Sequence, residues 1–209
     1  THLLHDTSTT ARFLAWKFII KTLVKALKTE KSFYYPFPQI QRISIQYPQD
    51  SSFRIFTWQM PDKDYKYQRF GLITINTKRG YKVVELKDNR LLENEAEYKT
   101  YKPTDWYGAL YYKMIPIKKR GKKLYTLLGW APGKNLNRKV IEVIEVSKSG
   151  RVKFGSRVFL IEKFMDKTYR KAPMRLILTY NPKYSASVKW NEQEEMVIMD
   201  HLSPPDAKL

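Results

Sequence analysis

Asp200, His201 and Ser203 are the nearest approach in this chain to an acid, a base and a nucleophile. A serine triad needs a base that an acid orients and that touches an exposed nucleophile. Adjacent residues of a strand point to opposite faces, so Asp200 is poorly placed to orient His201. No G-x-S-x-G elbow is present either. Glycoside hydrolysis needs two facing carboxylates, and Glu142 and Glu145 fall on opposite faces of one strand. Glu192, Glu194 and Glu195 crowd a polar turn and read as solvated. His2, His5 and Asp6 have metal-ligand character, but they sit near one end with nothing to orient them. The chain has no Cys, which removes thiol catalysis, disulfides and Cys-ligated zinc. No phosphate loop or dinucleotide fingerprint occurs. The expectation is a protein without catalytic residues, metal or cofactor.

What the sequence does carry is positive charge. Lys and Arg total 39 against 20 acids, a formal net charge of +19. Such a field attracts nucleic acid, anionic lipid or an acidic protein surface without choosing among them. The densest basic group is Lys118, Lys119, Arg120, Lys122 and Lys123, set around Gly121, which suits a tight hairpin. These five are the first candidates for partner contact. Lys17, Lys21, Lys25 and Lys28 are the second, spaced by four, four and three. Basic residues also interleave with Tyr and Trp, which can stack on bases, so a nucleic-acid or polyanion binder is the alternative class.

The elements that must position these groups are mostly strands. Ala109–Ile117 and Leu124–Trp130 flank the basic tip and are rich in residues that suit a pleated surface. Residues 11–28 read as the one helix, basic and amphipathic, with Phe13, Trp16, Ile20, Leu23, Val24 and Leu27 at helical spacing. It can pack on its own domain, lie on an anionic membrane or dock in a partner's groove. Tyr35-Pro36-Phe37-Pro38 forces an extended link. Phe53–Gln59 carries apolar groups on both faces, which predicts a strand covered on both sides. Phe70–Asn76 and Tyr81–Leu86 form a hairpin around Lys78-Arg79-Gly80. Leu91–Tyr98 reads as a short helix, and Lys139–Val146, Val152–Phe154 and Arg157–Phe164 as strands. Arg175–Tyr180 and Ser187–Trp190 read as a hairpin around Asn181-Pro182, and Met196–Asp200 as the last strand.

Ten to twelve short strands with frequent turns predict a mainly β fold. The expected form is a multi-stranded antiparallel meander (sandwich, barrel or propeller-like) preceded by one N-terminal basic amphipathic helix. Residues 1–209 read as a single domain: helix 11–28, β domain 40–200 and Pro-rich tail 201–209. With 43% hydrophobic and 14% aromatic residues, a packed core is within reach and disorder of the bulk is not expected. No apolar run is long enough for a transmembrane helix. The first residue is Thr1, which fits removal of a signal peptide.

Four stretches carry a resemblance: Asp105–Trp130, KVIEVIEV at Lys139–Val146, MVIMDHLSPPD at Met196–Asp206 and FRIFTWQMP at Phe53–Pro61. Together they resemble a family of exported, non-enzymatic proteins of Bacteroidota, in particular the plug subunits of the type IX secretion system. The resemblance implies a periplasmic, outer-membrane-associated subunit that closes the periplasmic opening of a giant β-barrel translocon when no cargo passes. It implies that barrel as partner, no small-molecule substrate and no role for nucleic acid. It transfers no binding residues.

Overall fold

The computed structural model describes residues 9–61, 67–78, 80–89, 95–119, 122–133, 135–164 and 167–200. His2, His5, Asp6, Arg79, Arg120, Gly121, His201, Ser203 and the tail 201–209 lie outside the described residues. At Lys118 and Lys119 the backbone alone is described.

Helix α1 spans Thr9–Leu27. Trp16, Leu23 and Leu27 are buried and Ile20 and Val24 partly buried, against Phe56, Trp58, Met60 and Leu72. The helix therefore packs on its own domain. Phe13, expected on the same stripe, stays half exposed. A short 3-10 turn, Glu30–Tyr34, ends the helical region. The link after it, expected to be extended, instead turns at Phe37, which takes φ +52 and whose carbonyl accepts from the Ile40 N–H.

Strands β1 (Ser44–Gln46), β2 (Phe53–Pro61), β3 (Tyr67–Thr77) and β4 (Gly80–Lys87) form a four-stranded antiparallel sheet in chain order. Along β2, Phe53 and Ile55 face one way while Phe56 and Trp58 face the helix. The two-sided apolar pattern of this strand is thus satisfied by a second sheet on one face and α1 on the other.

The second sheet holds β5 (Leu110–Lys119), β6 (Lys122–Ala131), β7 (Asn137–Val146), β8 (Val152–Phe154) and β11 (Arg175–Tyr180). Its order is β11-β7-β6-β5, with β8 also on β7. Strand β11 pairs the first part of β7 and β8 the last part. Phe53, Ile55, Ile73 and Ile75 from the first sheet meet Tyr125, Leu127, Val140 and Ile144 from the second, which makes a sandwich. No barrel closes among the described strands. The outer face of the second sheet, with Leu128, Ile141, Leu176 and Leu178, is covered by the hairpin of β12 (Val188–Asn191) and β13 (Met196–Met199).

Three expectations need correction. Arg157–Phe164 is not a strand. Gly155 takes φ +90 and turns the chain off β8; Phe159 and Ile161 then pack on the outer face while Leu160 is 97% exposed. Only Lys163–Phe164 pairs, as β9, with Lys167–Thr168, as β10. Arg175–Tyr180 and Ser187–Trp190 do not pair with each other. The turn exists, with Tyr184 N–H donating to the Asn181 carbonyl, but β11 joins β7 and β12 joins β13. The Asn191 side chain supports the β12–β13 turn by accepting from the N–H groups of Gln193 and Glu194. In place of the helix expected at Leu91–Tyr98, the described part forms one 3-10 turn, Ala96–Tyr98.

Candidate functional site: the free edge of β5

Strand β5 is the outermost strand of its sheet, since it pairs β6 alone. Among the described residues, no backbone hydrogen bond reaches the outer side of Lys113–Ile117. Pro116 lies within this stretch. Proline has no N–H to give a ladder, so its nitrogen belongs on an open edge. Backbone groups alternate in direction along an antiparallel pair, so Met114, two residues before Pro116, also turns its N–H and C=O outward.

The start of β5 is held by the first sheet. A β-bulge between Tyr111 and Lys113 interrupts the β5–β6 register. The Tyr111 N–H donates to Thr57 Oγ1 at 3.1 Å, and Ser44 Oγ donates to the Tyr111 carbonyl. Two hydroxyls of the first sheet thus take up backbone groups that the bulge freed. Gly129 lies opposite, where an added Cβ would come within 2.9 Å of the Tyr111 ring.

Beyond the bulge, the edge runs along an open groove of about 900 Å³. One wall is the turn after β1, Tyr47–Asp50. The other is the β12–β13 hairpin, through Trp190, Glu192 and Glu195. Lys113 Nζ meets Glu192 Oε1 at 2.7 Å across it, and this contact holds the Glu192 carboxyl below its usual range. Asp50 accepts from Lys123 and from the Ser52 N–H. Burial alone would raise its pKa, but these bonds outweigh it and the net shift is downward. At the far side, Tyr112 donates to the Val188 carbonyl at 2.8 Å. Burial first, then neighbouring Tyr180, pushes its phenol up to about 12.

Past the groove, β5 continues to Lys119. Register places Lys118 opposite Lys123 and Lys119 opposite Lys122. Lys122 finds Glu145 at 3.7 Å, and Lys123 finds Asp50. Lys17, Lys21, Lys25 and Lys28 are exposed on α1 or just after it, over the outer face of the first sheet. The structure therefore divides the candidate lysines between two surfaces. Sequence reading missed the groove itself. The available signal was Pro116 in the middle of an apolar run, which marks an edge strand.

A second cluster is chemically richer but sealed. Glu142 and Arg175 face each other in register on β7 and β11, both wholly buried. Arg175 Nε donates to Glu142 Oε1 at 2.6 Å, and its Nη1 donates to the carbonyls of Ala96 and Lys99. The Tyr111 hydroxyl donates to Glu142 Oε2 and accepts from Trp106 Nε1 at 3.0 Å. Burial, then the Glu142 charge, holds the Tyr111 phenol well above its ordinary pKa, so it stays a neutral donor. The guanidinium also lies 4.4 Å from the centre of the Tyr101 ring. With every member out of water, this network ties strands together. Glu145, by contrast, faces the other way and meets Lys122 and Lys153. No group of three or more His, Asp or Glu that could hold a metal ion occurs among the described residues.

Comparison with protein-family models, with curated proteins and with solved structures gives no match for this chain.

Proposed function

We propose that this protein is a non-catalytic binding subunit that receives an extended, partly acidic segment of a large protein partner along β5. The observation that carries the reading is the open edge of β5 at Lys113–Ile117, walled on both sides, with the strand continuing into the register pairs Lys118–Lys123 and Lys119–Lys122. An extended segment can add to an exposed edge, with main-chain bonds giving affinity and side-chain pockets giving selectivity. Pro116 withholds one donor, so strand addition is weakened and the walls, Tyr47 and Trp190 among them, must discriminate. The acidic side chains of the segment would lie against Lys118, Lys119, Arg120, Lys122 and Lys123, where complementary charge speeds capture.

The resemblance gives the partner a specific form. It is the periplasmic opening of a giant outer-membrane β-barrel translocon of type IX secretion, which this subunit would close. A stopper needs bulk and a complementary rim, and a four-layer body of helix, two sheets and a hairpin supplies bulk.

The test is an affinity pull-down from detergent-solubilised envelopes of a Bacteroidota host, with bound proteins identified by mass spectrometry. The expected result is one very large outer-membrane barrel in near-stoichiometric amount. Capture should be lost when the tip is reversed (Lys118→Glu, Lys119→Glu, Arg120→Glu, Lys122→Glu and Lys123→Glu together). It should also be lost in the folded Tyr47→Ala/Trp190→Ala variant. Recovery of nothing, or of nucleic acid whose binding falls log-linearly with salt, overturns the reading and favours a polyanion binder. A barrel captured equally by all variants keeps the partner and rejects β5 as its site.

A further inference from the structure

Helix α1 has a second face that the fold does not use. While Trp16, Leu23 and Leu27 are buried on the first sheet, Phe13, Leu14 and Phe18 are 50%, 59% and 72% exposed. Leu14, Lys17, Phe18, Lys21 and Lys25 are linked by spacings of three and four, so they share one side of the helix, and Lys28 follows just past its end. Its described lysines are all exposed, and α1 contains no Asp or Glu. The chain just beyond it presents Tyr34 and Tyr35, 73% and 49% exposed. Beside the helix lies an apolar trough of about 250 Å³, lined chiefly by Phe18, Ile19, Leu23, Ala26, Phe37 and Ile40.

We propose that the outer face of α1 docks this protein on the surface of an anionic phospholipid bilayer. Leu14 and Phe18 enter the boundary between headgroups and acyl chains, the lysines contact lipid phosphates, and the trough receives part of an acyl chain. Interfacial helices combine a basic polar face with exposed Phe, Leu or Trp. Lysine stems can lie along the apolar surface while their ammonium groups reach the headgroups. The described helix is not long and apolar enough to cross a membrane, so the contact is with the surface. A soluble polyanion would account for the lysines but not for two large apolar side chains standing between them.

Co-sedimentation with vesicles tests this. One set is phosphatidylcholine alone and the other equal parts phosphatidylcholine and phosphatidylglycerol. The wild type and a control reversed elsewhere (Lys148→Glu/Arg151→Glu/Lys189→Glu) should bind only the anionic set. Each lysine near such a surface is worth about fivefold in affinity, so Lys17→Glu/Lys21→Glu/Lys25→Glu should bind at least on the order of 100-fold more weakly. Leu14→Ser/Phe18→Ser should lose the binding that survives high salt. All substituted side chains are exposed, and circular dichroism would confirm that the variants fold. A Phe18→Trp variant should show a blue-shifted indole on anionic vesicles. Equal affinity of the two charge-reversed variants, or an unshifted indole, overturns the proposal.

Discussion

Arg175 Nε lies 2.6 Å from Glu142 Oε1, and neither side chain has any exposure to water. An unpaired charge in that position is far more costly than the pair is stabilising. Glu142→Leu or Arg175→Met alone should therefore lower stability by about 3–5 kcal/mol. Together they should cost much less than the sum. Urea unfolding of the four proteins in the cycle gives the coupling directly, and additive costs would show that the two groups do not depend on each other.

Tyr111 predicts behaviour at high pH. Its folded pKa is raised by burial and then by Glu142, while an unfolded tyrosine ionises near pH 10, at about 10. The native state thus holds the phenolic proton that the unfolded state gives up. Its contribution is fully present below about pH 10 and is lost as the pH rises toward the folded pKa. Tyr112, at about 12, adds to the same window. Urea midpoints should fall steadily above pH 10, at about pH 10 to 12, and less steeply in Tyr111→Phe. Identical slopes for the two proteins would refute the assignment.

Arg54 links the helix segment to the sandwich. It is buried on the helix side of β2 and donates through Nη1 to the carbonyls of Phe33 at 2.8 Å and Tyr35 at 2.7 Å. Its guanidinium also lies over the rings of Phe37, Phe56 and Tyr47. Arg54→Met keeps the stem but strands two carbonyls, at a cost of about 2–4 kcal/mol. Trypsin should then cut first after the lysines of residues 28–31. Cleavage in the wild-type pattern would argue that the ring packing suffices.

Pro116 predicts the state of association. Lysines and proline on an exposed edge discourage pairing between copies. Pro116→Val restores an outward N–H and adds a β-branched residue. Sedimentation velocity should show concentration-dependent dimers in the variant and none in the wild type. A monomeric variant would mean that the groove walls alone keep a second copy away.

Period and turn chemistry in the sequence carry much of this fold. The apolar groups on both faces of Phe53–Trp58 mark a strand covered on both sides, and Trp16, Ile20, Leu23 and Leu27 mark α1. Partner choice among strands was harder to read. Asn181-Pro182 has hairpin chemistry, yet β11 finds β7 because Arg175 neutralises Glu142 and Leu176 and Leu178 complete the outer apolar face. Local sequence does not contain that contact. Its trace is a charge on an apolar stripe: Glu142 stands between Val140 and Ile144. The β5 groove was hidden for a related reason, since its walls come from segments near residues 47–50 and 190–195.

The pairing of Glu142 with Arg175 also imposes an order in time. Arg175 follows Glu142 by 33 residues, so a loop of that length must close before the carboxylate meets its counter-charge. Until then the folding chain holds a carboxylate destined for the core but unpaired, which is costly to bury. Closing the sandwich early would trap it, so the second sheet should reach its final form only once β11 docks on β7. On this account the docking of β11 is the step that completes the core.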